Sequence, residues 1–190
     1  MSSSNLIRWG GLVAVIAGVL FVAVDLVSLL VLGLEIFGFE QNPSEGGISF
    51  ALLLLRSITA PVAGALLVLG LVGLYAHQSE AAGTAGLVSF LVAFLGTVLA
   101  QSFEPLILLA SLGWALFGVS CIRARVYTRV GATLLIIGAV LSGVVRPMPS
   151  GGMSTILAYL AAATLLNVGI VWLGFSLFTR RTKHRGDPHQ

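Results

Sequence analysis

The sequence predicts an all-α fold: a polytopic transmembrane helical bundle with six spans and both termini in the cytoplasm (N-in/C-in). Three observations lead to this prediction. Of the 190 residues, 57% are hydrophobic and 9% are charged, whereas a soluble domain carries about 25% charged residues. Several apolar stretches reach the roughly 20 residues that a helix needs to cross a bilayer. The basic residues cluster at a few stretch ends, as orientation in a membrane requires.

The first three spans follow from the hydropathy of the N-terminal half. Span 1, at about 6–34, is too long for the apolar core of a cleaved signal peptide, so it is interpreted as a retained span. The segment EIFGFEQNPSEGG, rich in turn formers, separates it from span 2, at about 48–75. The polar segment AHQSEAA then leads into span 3, at about 83–101.

The last three spans are separated by shorter connections. SFEP is so short that span 3 and span 4, at about 105–122, are expected to form an antiparallel hairpin. RARVYTR leads to span 5, at about 130–145, and the turn RPMPSGG leads to span 6, at about 153–178. The sequence contains no hydrophilic stretch long enough to fold independently. We therefore expect one six-helix transmembrane domain over 1–178, followed by a basic cytoplasmic tail over 179–190.

The orientation follows from the distribution of lysine and arginine. An even number of spans puts both termini on one side, and that side receives eight basic residues: Arg8, Arg123, Arg125, Arg129, Arg180, Arg181, Lys183 and Arg185. The opposite side receives Arg146 together with several glutamates. Because basic residues accumulate on the cytoplasmic side of membrane proteins, this asymmetry predicts cytoplasmic termini.

Two ionisable residues, Asp25 and Arg56, lie inside predicted spans 1 and 2. A charge at membrane depth is costly and normally finds a partner inside the protein. Asp25 is roughly 13 Å along its helix from the outer end of span 1, and Arg56 is roughly 12 Å from the outer end of span 2. Both therefore fall at a similar depth, and we predict an intramembrane ion pair. The pair either fixes the two-helix hairpin or belongs to a site for a substrate, an ion or a lipid headgroup.

Four further polar residues are candidates for a polar cavity that opens to the outer side. Gln101 and Glu104 lie at the outer end of span 3, Arg146 ends span 5 on that side, and Asn167 lies in the middle of span 6. The alternative is that the first three are interfacial residues beside water. Asn167 would then form a single interhelical hydrogen bond, worth roughly 1 kcal/mol.

The sequence contains no recognisable catalytic or metal-binding constellation. Its single cysteine, Cys121, cannot form an internal disulfide or a multi-thiolate metal site, and its three histidines do not face one another across the predicted bundle. The serines within the spans have no histidine at their depth to act as a base. We therefore expect no catalytic residue, no metal site and no cofactor.

The pattern GLYAHQ…AGLVSFLVAFLGTVL, with a basic inner loop and a glycine-opened next span, resembles that of many small bacterial membrane proteins of uncharacterised function. In outline, the chain is also similar to the six-span acid-stress HdeD type. The resemblance extends over most of the chain. It implies a location in the bacterial inner membrane and carries no residue roles.

Two function hypotheses remain at this point. The first is a non-enzymatic accessory or structural subunit of a larger membrane complex, favoured by the scarcity of buried polar groups and by glycine-rich helix faces. The alternative is a small oligomeric transporter or channel with its site around Asp25 and Arg56. The expected partners are the lipid bilayer and either other membrane subunits or further copies of the chain, and no nucleic acid is expected.

Overall fold

The computed structural model describes residues 3–36, 48–100, 103–147 and 153–179, and these ranges are almost entirely helical and contain no strand. The α-helices are α1 (Ser3–Ile36), α2 (Ile48–Ala100), α3 (Ile107–Ala124), α4 (Arg129–Val145) and α5 (Met153–Thr179). A 3₁₀ turn, Glu104–Leu106, directly precedes α3. The prediction of an all-helical fold is confirmed.

Helix α2 is sharply reversed at Gly83, where φ is 57° and ψ is −149°. The rings of Tyr75 and Phe90 stack with centroids 4.4 Å apart. A straight helix would separate these two positions by roughly 22 Å, so the arms over 48–82 and 84–100 fold back on each other. A Cβ atom at Gly83 would have no neighbour within 4 Å, so the backbone conformation itself requires glycine. Residues 76–82, expected as a loop, are helical instead.

Neighbouring helices run antiparallel. Gly10 of α1 contacts Gly73 of α2, whereas Ala14, one turn further along α1, contacts Gly70, one turn earlier in α2. The second arm of α2 packs against α3, and α4 packs against α5, in the same antiparallel way: as the residue number rises along one helix, the number of its contact on the other falls. These two interfaces are marked by the pairs Ala93/Gly113, Gly96/Ala110, Leu135/Gly169 and Gly138/Leu166. Counted with the two arms of α2 as separate helices, the chain therefore has six helical rods in the described ranges, and they alternate in direction.

The rods close into a ring because α5 packs against α1. A Cβ atom placed on Gly11 would lie 3.0 Å from the carbonyl oxygen of Gly174, and one placed on Gly18 would lie 2.5 Å from Cγ2 of Val171. Side chains at the centre of the ring, including Leu71, Phe117 and Ile170, are fully buried. The first and last helices of the described chain are thus direct neighbours.

The outside of the ring is apolar, as a lipid-facing surface must be. Leu26, Val62, Leu112 and Phe175 are each at least half exposed. Within the described ranges, four helices are long and apolar enough to cross a membrane, and the 17-residue α4 is a shorter apolar helix. The chain is therefore a helical membrane protein.

Candidate functional site

A cavity of about 230 Å³ lies between the helices, with lining residues from all five of them. Its apolar wall includes Phe21 and Trp114. The polar side chains that line it are Asp25, Thr97, Ser111, Ser142, Arg146, Tyr159 and Asn167. No metal-binding group of three or more histidine, cysteine or acidic residues occurs in the described part of the chain.

Asp25 and Asn167 connect the first and last helices inside this cavity. The Nδ2 atom of Asn167 donates a hydrogen bond of 3.3 Å to Oδ2 of Asp25. The contact depends on the absence of a side chain at Gly18 of α1, because a Cβ atom there would lie 3.0 Å from the carbonyl oxygen of Asn167. Two turns separate Gly18 from Asp25, so the same face of α1 presents both residues to α5.

Arg146 supplies the positive group of the cavity. It follows the last residue of α4, and its backbone N–H donates a 3.2 Å hydrogen bond to the carbonyl oxygen of Ser142. A cation is favourable at a helix C-terminus because it opposes the helix dipole. The guanidinium donates a 2.7 Å hydrogen bond to the hydroxyl of Tyr159, and its carbon lies 5.0 Å from the ring centroid. Tyr159 thus holds the arginine at the cavity wall.

The polar groups of the cavity differ in how many of their possible hydrogen bonds they form. The indole of Trp114 donates a 3.0 Å hydrogen bond to Thr97, whose own hydroxyl donates to the carbonyl of Ala93. By contrast, the buried hydroxyl of Ser142 has no hydrogen-bond partner among the described residues. A carboxylate can accept about four hydrogen bonds and a guanidinium can donate five, so Asp25 and Arg146 both retain unused capacity. The cavity is therefore chemically suited to hold a polar molecule.

The structure brings together three of the six predicted site residues. Asp25, Arg146 and Asn167 line one cavity, whereas Arg56 is exposed on the first arm of α2 and is not among the lining residues. A direct Asp25–Arg56 ion pair stays a prediction. Gln101 and the side chain of Glu104 lie outside the described residues.

Several cavity residues were not anticipated. Tyr159 lies 13 positions after Arg146, beyond a turn, and Ser142 and Thr97 occupy small-residue positions in apolar helices. Serine and threonine commonly bond to the backbone of their own helix, as Thr97 does, so their presence in a span does not indicate a site. The only sequence signal for Tyr159 was its position as an aromatic residue near the end of a span, and this signal is weak.

A second polar cluster lies at the opposite end of the bundle and is closely packed. Gln78 of α2 is fully buried, and its Oε1 atom accepts a 3.1 Å hydrogen bond from the thiol of Cys121 in α3. Nearby, the hydroxyl of Tyr127 donates a 2.7 Å hydrogen bond to the carbonyl of Leu74. These contacts connect the first arm of α2 to α3 and to the segment that follows α3.

The fold and the cavity together define a class: a helical membrane protein whose antiparallel helices enclose a polar cavity. Comparisons with protein-family models, with curated proteins and with solved structures found no match. The resemblance to the HdeD type therefore stays a prediction, and the function must be inferred from the cavity and the surface.

The Asp25–Asn167 contact can be tested by a double-mutant cycle. Asp25→Leu and Asn167→Leu are expected to be coupled by about 1 kcal/mol in unfolding free energy, because each single variant leaves the other polar group without its partner. The measurement is reversible unfolding in mixed micelles. Ser28→Ala is the matched control, since Ser28 bonds to Val24 of its own helix and should combine additively with Asn167→Leu. Additive energies for the Asp25 pair would contradict the contact.

Proposed function

We propose that the chain is a six-span protein of the bacterial inner membrane with both termini in the cytoplasm. Support comes from the alternating direction of the six rods and from the asymmetry of basic residues. The guanidinium carbon of Arg8 lies 5.3 Å from the ring centroid of Phe178, so the beginning of α1 and the end of α5 share one end of the bundle. The bacterial location rests on the resemblance described above.

The orientation can be tested with C-terminal reporters. A fluorescent protein fused after residue 190 is expected to fluoresce, because such reporters mature in the bacterial cytoplasm. Alkaline phosphatase at the same position is expected to be inactive, because it needs the oxidising periplasm for its disulfides. The opposite pair of results would overturn the cytoplasmic placement of the C-terminus.

We further propose that the protein binds, and as a small oligomeric transporter moves, a small polar solute. The observation that carries this proposal is the cavity, where an acid and a base with spare hydrogen-bonding capacity line one space within the bundle. A second hollow of about 420 Å³ shares Ile107 and Arg146 with the cavity and is also lined by Pro105 and Pro147. Arg146 therefore lies between the cavity and the end of the bundle where α3 begins and α4 ends. A solute would enter there.

The size of the cavity limits the solute. The cavity has a volume of about 230 Å³. Most pockets for drug-sized ligands are larger, at about 300–1,000 Å³. A solute smaller than a drug-sized ligand therefore matches the space.

The charges of the cavity define the chemical class of the solute. Burying a net charge at membrane depth is expensive, so a net-neutral solute is favoured. A zwitterion would put its cationic group beside Asp25 and its anionic group beside Arg146. The hydroxyl of Ser142 would then gain the hydrogen-bond partner that it otherwise lacks. Small amino acids and betaines belong to this class.

Solute binding can be tested by filling the cavity. Ala163 lines the cavity and Ala161 is exposed on the same helix, so Ala163→Phe and Ala161→Phe form a matched pair. At a concentration near 100 times its dissociation constant, a bound zwitterion should stabilise the parent protein by about 2.7 kcal/mol. Thermal unfolding with glycine, alanine, proline and glycine betaine measures this gain, with uncharged glycerol for comparison. The gain should persist in Ala161→Phe and disappear in Ala163→Phe; equal responses would contradict the proposal.

A specific surface feature supports the accessory-subunit hypothesis as a second candidate. None of residues 50–62 in the first arm of α2 is buried, and ten of them are exposed. This stretch includes Arg56, whose charge lies within an apolar segment. A transmembrane helix of another subunit, with an acidic residue at the same depth, would cover the stretch and neutralise that charge.

Purification in mild detergent tests the second candidate. A stoichiometric partner protein is expected to co-purify with the parent chain and to be lost from Arg56→Ala, because the partner's acid would lose its counter-charge. Ser57→Ala is the matched control, since the exposed Ser57 hydroxyl bonds to Leu53 of its own helix. A partner retained equally by both variants would contradict a role for Arg56, and recovery of the chain without other proteins would contradict the subunit hypothesis.

A further inference from the structure

A groove of about 360 Å³ lies between the second arm of α2 and α3, on a different part of the molecule from the cavity. The two helices lie close together beside it, since a Cβ atom on Gly86 would approach Oγ of Ser120 to 3.3 Å, and the small residue Ala85 lines the groove. Larger apolar side chains form its walls, with Val88 on α2 and Leu116 on α3, both exposed on the outside of the bundle.

The groove changes from polar to apolar along its length. At one end are Thr84, which directly follows the reversal at Gly83, and Arg123, which is in the last turn of α3. Leu116 lies about 10 Å deeper along α3, at 1.5 Å per residue. Where a lipid-facing helix ends, the polar end of such a groove meets the headgroup region and the apolar end meets the acyl chains.

Two observations indicate that the polar end suits an anion. The hydroxyl of Ser120 is buried and lines the groove, yet it has no hydrogen-bond partner among the described residues. The guanidinium-bearing side chain of Arg123 is exposed beside it, and no acidic side chain is among the described residues that line the groove. Arg125 follows α3 and Arg129 begins α4, and both add positive charge at this end of the bundle.

We propose that this groove binds an anionic phospholipid. The phosphate lies beside Arg123 and within reach of the Thr84 hydroxyl. One acyl chain follows the groove past Val88 and Leu116. An arginine pocket between helices at the membrane surface is the kind of site that recognises lipid phosphate, and each basic residue near the surface contributes about 1 kcal/mol to the attraction of anionic lipid. The site does not depend on the solute cavity.

The test compares lipids that share acyl chains and differ in headgroup charge. Purified protein is exchanged into micelles containing dioleoyl phosphatidylglycerol or dioleoyl phosphatidylcholine, and the retained lipid is counted by native mass spectrometry. Arg123→Gln is expected to lower the affinity for phosphatidylglycerol about fivefold, corresponding to about 1 kcal/mol, and to leave the weaker retention of phosphatidylcholine unchanged. Arg129→Gln removes an equal charge from the same end of the bundle, outside the groove lining, and should have a smaller effect.

A second variant tests the groove independently of charge. Ala85 is exposed and lines the groove, so Ala85→Trp should occupy the path of the acyl chain and reduce retention of both lipids. Solute-dependent stabilisation should be unaffected by either groove variant, which separates failure of this proposal from failure of the solute proposal. If Arg123→Gln and Arg129→Gln lowered the affinity for phosphatidylglycerol equally, the lipid would be attracted by the overall positive charge and would have no specific site in the groove. Full retention by Ala85→Trp would exclude the groove as the acyl-chain position.

Discussion

Close approach of helix backbones is the constraint on which the rest of the structure depends. Lipid tails are as apolar as leucine, so burying leucine between helices gains little over leaving it in lipid, and association relies on tight packing. Glycine or alanine occurs at each helix interface that closes the ring. A Cβ atom on Gly96 would lie 2.5 Å from the backbone nitrogen of Ala110, and one on Gly169 would lie 2.7 Å from the backbone nitrogen of Leu135. Larger side chains at these positions would force the helices apart.

The same spacing controls the polar contacts. The hydrogen bond from Asn167 to Asp25 can form because Gly18 lets α1 lie directly against α5. In a medium of low dielectric constant such a bond is electrostatically strong, and an unpaired group in its place would be costly. Helix packing therefore controls the polar contacts, because one methyl group added at an interface would change the position of the Asp25 carboxylate relative to its hydrogen-bond donor.

Hydropathy and charge were sufficient to predict helices and a membrane location, because both are properties of short stretches of sequence. Contacts between distant segments could not be predicted in the same way. The sequence indicated Arg56 of span 2 as a partner for Asp25, but it did not indicate the hydrogen bond from Asn167 of α5, 142 positions away from Asp25. Gly18, two turns before Asp25, also packs against α5. Many faces of these helices carry small residues, so composition does not identify the partner helix. A reversal between spans 2 and 3 was expected over 76–82, but the sequence did not single out Gly83 among 23 glycines as the residue where it occurs.

The ring also has a consequence for biogenesis. Its closing interface joins α1 to α5, which leaves the ribosome after the other described helices. Until α5 enters the bilayer, Asp25 has no Asn167 beside it, and the cavity lacks the wall that carries Tyr159 and Asn167. Every shorter nascent chain therefore carries an acid in lipid without its eventual hydrogen-bond donor. The cavity is complete only once α5 is in place, so a chain truncated before α5 would have helices but no such cavity.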